Sequence, residues 1–243
     1  MNIAYKLIKV ADKILNIIIY LCLIVVFLFC LYALFDTIKV YLRASNDSIS
    51  SLKPNDEDPI ESLNSLKQIN EDVCGWITID DTNIDYPIVI GENNAEYLNK
   101  DVYGNYAISG SIYLDYRNAR DFSDIYSVVF GHHMDGGAMF GDIRKFTDKT
   151  FFDTHTTGTL YTEKGAYKLQ VFALVHTDAY NKYVYGINKN DFSRKDELIS
   201  FIRENAINYR ELNINSEERV VGLSTCSSAT TNGREILYVK IVN

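Results

Sequence analysis

Val73-Cys-Gly-Trp-Ile-Thr-Ile79, the polar turn Asp80-Asp-Thr-Asn83, and then Ile84-Asp-Tyr-Pro-Ile-Val-Ile90 form the stretch that decides the fold. Trp76–Ile79 and Tyr86–Ile90 are short runs of β-branched and aromatic residues on either side of a turn, which reads as strand, turn, strand. The same pattern recurs downstream in Ser111–Asp115, Tyr126–Phe130, Thr159–Thr162, Tyr167–His176, Arg219–Thr225 and Glu235–Val242, about eight strands in all. Two helical stretches interrupt them, Met139–Phe146 and Arg194–Tyr209, the second with Leu198, Ile199, Ile202 and Ala206 on one face. Many short strands with few, irregularly spaced helices point to a mostly β fold. A closed or nearly closed barrel is expected, and regular βαβ units are not.

Upstream of the strands, Asp58-Pro59-Ile60-Glu61 is a helix start, with Asp as N-cap, Pro at the first helical position and Glu closing a capping box. Ile60, Leu63, Leu66 and Ile69 make a narrow apolar stripe, so a helix of about three turns should dock on the body. Further back, Ile14 to Phe35 runs 22 residues without a charge. At 1.5 Å per residue that is about 33 Å, enough for a hydrocarbon core of about 30 Å. The stretch is longer than the apolar region of a cleaved signal peptide and ends without a small-x-small site, so an uncleaved anchor is expected. Lys6, Lys9 and Lys13 precede it while Lys39 and Arg43 follow, a small bias toward a cytoplasmic N-terminus. The expected divisions are 1–13 cytoplasmic, 14–35 transmembrane, 36–57 a polar extracellular stalk, and 58–243 the catalytic domain.

The chain of 243 residues carries a net charge of −8; residues 1–40 hold +2, which leaves −10 for the rest. That balance excludes a nucleic-acid binder, which needs a basic footprint. With 47% apolar residues and three prolines, neither disorder nor a linker-like chain is tenable. Cys22 and Cys30 fall inside the apolar stretch, leaving Cys74 and Cys226 for the body: one disulfide at most, or two free thiols.

Cys226 ends the apolar strand Val220-Val-Gly-Leu-Ser-Thr-Cys226 and faces a polar loop, a place where reactive groups are common and where a small buried thiol is equally ordinary. Arg234 opens the next strand, so a hairpin-like return would set it beside Cys226. His132 and His133 follow the run ending Phe130-Gly131, at a strand-to-loop junction. A metal site built on His132, His133 and Asp135 is the rival reading. It is disfavoured because adjacent residues on an extended chain point to opposite faces and no HExxH spacing is present. Cys, His and Arg together suit acyl transfer. A thiolate attacks, an imidazole takes and returns a proton, and a guanidinium faces the developing oxyanion. No helix N-terminus adjoins Cys226, so its activation must come from His132 and Arg234, and a bell-shaped pH–rate profile is expected.

Four ordered blocks then resemble a known family, the class B sortases, membrane-anchored cysteine transpeptidases of Gram-positive bacteria. The blocks are Cys74-Gly-Trp-Ile-Thr-Ile with Thr82-Asn-Ile-Asp-Tyr-Pro-Ile-Val, then Gly110-Ser-Ile-Tyr-Leu-Asp-Tyr-Arg-Asn118, then Phe130-Gly-His-His-Met-Asp-Gly-Gly-Ala-Met-Phe-Gly141, and last Leu223-Ser-Thr-Cys226 with Arg234. The resemblance covers roughly Asp72–Val242. It implies a closed eight-stranded barrel with an N-terminal docking helix and an inserted helix before the cysteine strand. It implies His132, not His133, as the catalytic histidine, Cys226 as nucleophile, Arg234 as oxyanion or substrate-positioning group, and Ser224 as a residue of the substrate groove. Neither metal nor organic cofactor is implied.

The activity implied is cleavage of a C-terminal sorting motif of secreted proteins (an NPxTN-like or related pentapeptide) after its Thr, through a thioester on Cys226. Transfer to an amine of a peptidoglycan precursor or a pilin lysine follows. Two departures stand out: Cys74 replaces a residue that is more often small and apolar, and no acidic residue follows Cys226. A membrane-anchored cysteine peptidase and a non-catalytic wall- or heme-binding module are the alternatives.

Overall fold

The computed structural model describes residues 3–44, 52–54, 58–186, 192–215, 217–227 and 231–242. They fall into two units, Met1–Leu42 and Arg43–Asn243.

The first unit is carried by helix α1 (Ile3–Ala44). No Gly or Pro interrupts this stretch, so the helix continues past both ends of the uncharged 22-residue run. Thr37, where a stalk was expected, remains helical, its hydroxyl donating to the Ala33 carbonyl at 2.9 Å. Ile3–Tyr41 is long and apolar enough to cross a membrane, and the protein covers none of its most apolar window. It is a candidate membrane span. Of the expected stalk, 45–51 and 55–57 lie outside the described residues. Leu52 packs on the body and Lys53 pairs with Asp85 at 2.6 Å.

The second unit starts with α2 (Pro59–Ile69), capped by the Asp58 carboxylate, which accepts from the Glu61 N–H at 3.1 Å. Leu63 and Leu66 are fully buried, while Ile60 and Ile69 at the ends of the stripe remain exposed. Then follow β1 (Val73–Ile79), β2 (Asp85–Val89), β3 (Ile112–Leu114), β4 (Tyr126–Phe130), α3 (Lys149–Thr154), β5 (Thr157–Thr162), β6 (Gly165–Asp178), α4 (Lys182–Tyr185), α5 (Phe192–Asn205), β7 (Ala206–Tyr209), β8 (Val220–Cys226) and β9 (Gly233–Val242).

Eight strands pair in the order β5-β1-β2-β3-β4-β8-β9-β6, and β6 pairs back on β5 to close the barrel. The ninth, β7, pairs on the same edge of β6 as β5 but further along, at Ala173–Val175. Two neighbouring pairs are parallel, β2 with β3 and β4 with β8; the others are antiparallel. Ile77, Leu114, Val129, Leu174, Leu223 and Leu237 fill the interior. A second apolar layer lies outside the wall, where Val220, Phe172 and Tyr238 meet Leu198 and Ile202 of α5. β8 is therefore buried on both faces from Val220 to Thr225, which is why it reads as an unbroken apolar run instead of alternating.

Two expected helices change form. Arg194–Tyr209 splits into α5 and β7: the backbone of Ala206–Tyr209 pairs with β6 at Ala173–Val175, and the Asn208 side chain anchors it by donating to the carbonyls of Phe146 and Thr147 at 2.8 and 3.0 Å. Met139–Phe146 is not an α-helix either: Met139 has φ +55°, and a 3₁₀ segment runs from Gly141 to Thr147.

Candidate active site

The parallel pairing of β4 and β8 places the site. In register, Phe130 faces Ser224, and parallel neighbours end at the same rim of a sheet. The residues that follow, Gly131-His132 and Thr225-Cys226, leave the wall side by side, tied by the Gly131 N–H donating to the Ser224 carbonyl at 3.1 Å. β9 is antiparallel to β8, so it begins at that same rim, with Arg234 directly opposite Cys226. Three residues from distant parts of the chain thus line one cleft of about 290 Å³, together with Ser224, Tyr113, Phe130 and Tyr185.

Alternation sorts the side chains. Leu223 points into the barrel, so Ser224 and Cys226 stand on the outer face with Phe130 and His132. Cys226 is exposed and free, whereas Cys74 is free and fully buried, its thiol pushed up to about 12 by burial. No Cys74–Cys226 disulfide exists. His132 is half-buried, and its Nε2–H donates to the Leu98 carbonyl at 2.8 Å. A carbonyl only accepts, so Nε2 carries a proton, which leaves Nδ1 as the nitrogen able to exchange one. His133, by contrast, has a buried Nδ1 without a hydrogen-bond partner among the described residues.

Ser224 is buried at the floor of the cleft, its hydroxyl 2.8 Å from that of Tyr185. The Tyr185 ring stacks on Phe130 at 6.0 Å, and Phe130 on Tyr113 at 5.3 Å. Burial raises the phenols of Tyr113 and Tyr185 to about 12, so both are neutral donors at ordinary pH. Asn94, Leu98, Asp115 and Arg117 also line the cleft. None of the four is marked out by its local sequence. Asp115 and Arg117 lie in one of the four blocks, but nothing local shows that they face residues on other elements. Among the described residues no group of three or more His, Cys, Asp and Glu side chains is arranged to hold a metal, His132, His133 and Asp135 included.

Comparison with known proteins identifies the family. A family model described as the Sortase domain matches residues 77–242. Sortase B of Listeria monocytogenes is 32% identical over 186 residues, 75% of this chain and 74% of that protein. Among solved structures, a class B sortase of Streptococcus pyogenes involved in pilus biogenesis is 41% identical with a TM-score of 0.66, covering 74% of this chain and 97% of that one. A sortase B–substrate complex from Staphylococcus aureus is 27% identical with a TM-score of 0.69, covering 76% and 86%. The chain belongs to the sortase family, among its class B members, and its activity is that of a cysteine transpeptidase.

Proposed function

We propose that this class B sortase cuts a C-terminal sorting motif after its threonine and passes the new carboxyl end to an amine, with Cys226, His132 and Arg234 carrying the chemistry. The observation that carries the reading is their convergence on one rim, imposed by a parallel β4–β8 pair and an antiparallel β9. His132 Nδ1 takes the proton of Cys226 as Sγ bonds to the threonine carbonyl carbon. Arg234 faces the resulting oxyanion with a charge that is permanent at physiological pH. The C–N bond breaks, the imidazolium hands its proton to the departing amine, and a thioester remains. An incoming amine then bonds to the same carbon, the C–S bond breaks, and its proton returns through His132 to the sulfur.

The polar floor at Ser224 and the aromatic wall of Tyr113, Phe130 and Tyr185 suit an extended peptide, apolar along one side and hydrogen-bonded on the other. The acceptor is the amine of a peptidoglycan precursor or a pilin lysine. The pilus role of the Streptococcus pyogenes relative supports the second; an NPxTN-like or related donor rests on the family resemblance alone. Residues 14–35 anchor the chain, with 1–13 cytoplasmic and the catalytic domain 58–243 outside the cell on a stalk at 36–57 that opens as the last turns of α1; the lysines before the span support this orientation.

The test incubates the full-length chain in detergent micelles with an NPxTN-type peptide and triglycine, and reads products by mass spectrometry. A ligated product that vanishes in Cys226→Ala is the expected result. Hydrolysis alone would make the protein a peptidase. Peptide binding with no turnover in wild type or variant would make it a non-catalytic binding module.

A further inference from the structure

One charge pair in the cleft wall, a buried carboxylate with a half-buried guanidinium, has no part in the chemistry above. Asp115, just after β3, is fully buried. Its Oδ1 accepts from the Arg117 backbone N–H at 3.0 Å and from Arg117 Nε at 2.8 Å, and its Oδ2 from Arg117 Nη2 at 2.7 Å and Asn94 Nδ2 at 2.9 Å. Burial works to raise the Asp115 pKa, but these bonds outweigh it and hold the carboxyl below its usual value. A buried charge so fully satisfied fixes whatever its partner touches.

Arg117 touches the far bank. Its Nη2 also donates to the Tyr185 carbonyl at 3.0 Å, reaching 68 residues along the chain to the last residue of α4. With four residues, α4 is too short to hold itself in place. The Asn181 cap and buried Val184 secure its start and middle, and Arg117 secures its end. Tyr185 in turn presses on Phe130, two residues before His132, and bonds Ser224, two residues before Cys226. On the near bank, Asn94 is bound to Asp115 and accepts from the Tyr116 N–H at 3.1 Å; the segment it heads supplies the Leu98 carbonyl that holds His132. Both banks are tied to one carboxylate.

We propose that Arg117, held by Asp115, is a positioning residue that sets the Tyr185 wall of the substrate cleft and so controls substrate binding without touching a reacting atom. This rests on the reading of the cleft as the sorting-peptide groove. A planar guanidinium is required. It forks onto Asp115 and still offers an N–H to the Tyr185 carbonyl, whereas a lysine ammonium at the same position carries the charge but neither the fork nor the reach.

The test uses the full-length chain in micelles with the peptide and triglycine. In Arg117→Lys, KM should rise about tenfold with kcat within about twofold, the pattern of lost binding with intact chemistry. In a Tyr185→Ala background the same substitution should leave KM unchanged, because the carbonyl that Arg117 holds remains but the ring it positions is gone. Independently of turnover, the Tyr185 and Gly186 amides, which donate to Asn181 and Lys182, should exchange hydrogen about tenfold faster in Arg117→Lys. If Arg117→Lys does not fold, Arg117→Gln takes its place with the same expected directions.

Unchanged exchange overturns the proposal, as does an equal KM rise in the Tyr185→Ala background, or a fall in kcat at constant KM. A wild type that makes no ligated product refutes the transpeptidase reading instead. The exchange measurement still decides whether Arg117 holds Tyr185.

Discussion

Gly131→Ala is a sharp test of how the site is held. Gly131 lies between Phe130, the last residue of β4, and His132. Its N–H joins β4 to β8 through the Ser224 carbonyl. Its backbone conformation is one that alanine adopts, so in the unfolded chain the added methyl favours folding by about 0.4–1 kcal/mol. Opposing this, the new Cβ would run into Ile112 Cδ1 and sit 2.7 Å from Phe140 Cδ2. The isoleucine tip can rotate, but the Phe140 ring is fully buried in the core and cannot yield without moving its neighbours. Overpacking of this kind costs about 1–3 kcal/mol, so the clash wins and a net loss of about 1–2 kcal/mol remains.

For a body of this size that loss lowers Tm by about 3–6 °C, read by calorimetry of the protein in micelles. The strain is relieved along the segment that carries His132, and a displacement approaching 1 Å there costs up to about 100-fold in kcat/KM. A Gly131→Ala protein with wild-type Tm and wild-type ligation rate would refute the close packing behind the rim and the claim that it positions His132.

Four further outcomes follow from the same structure. Arg234→Ala should lower kcat/KM by about 10²–10³-fold, the usual cost of removing one oxyanion donor, and peptide ligation kinetics measure it. Iodoacetamide at pH 8 should modify Cys226 and leave Cys74 untouched, as peptide mass mapping will show. The Cys74 thiol is raised to about 12 in the folded state from an unperturbed 9.0, so its contribution to stability is full below pH 9 and is lost as pH rises toward 12. Cys74→Ala should therefore show a shallower fall in Tm between pH 9 and 11. Asn208→Ala should cost about 1–3 kcal/mol by stranding the Phe146 and Thr147 carbonyls, with kcat within about twofold, since β7 does not line the cleft.

What could be read from the sequence alone was what neighbouring residues decide among themselves. The uncharged run Ile14–Phe35, the Asp58 cap and the strand-forming runs from Val73 onward are local properties, set by side-chain polarity and backbone preference over a few residues. The Cys226, His132 and Arg234 blocks were also legible, because each ends or opens a strand-like run and each resembles a family signature. Ala206–Tyr209 was misread as the end of a helix because its apolar spacing suits either form. The choice fell to backbone pairing with β6 and to the Asn208 anchor, whose partners lie about 60 residues away.

The continuation of α1 into the expected stalk was missed for a different reason. The polarity of residues 36–57 reads as a stalk without fixing its backbone form, and residues 36–44, with no Gly or Pro, carry the helix on to Ala44. Only tertiary structure could choose the parallel β4–β8 register that delivers His132 beside Cys226, and the reach of Arg117 from a buried Asp115 to Tyr185. Such pairings are selected by burial on both faces of a strand and by satisfaction of buried charge. Both depend on which distant segments share the same interior, and no stretch of sequence contains that information by itself.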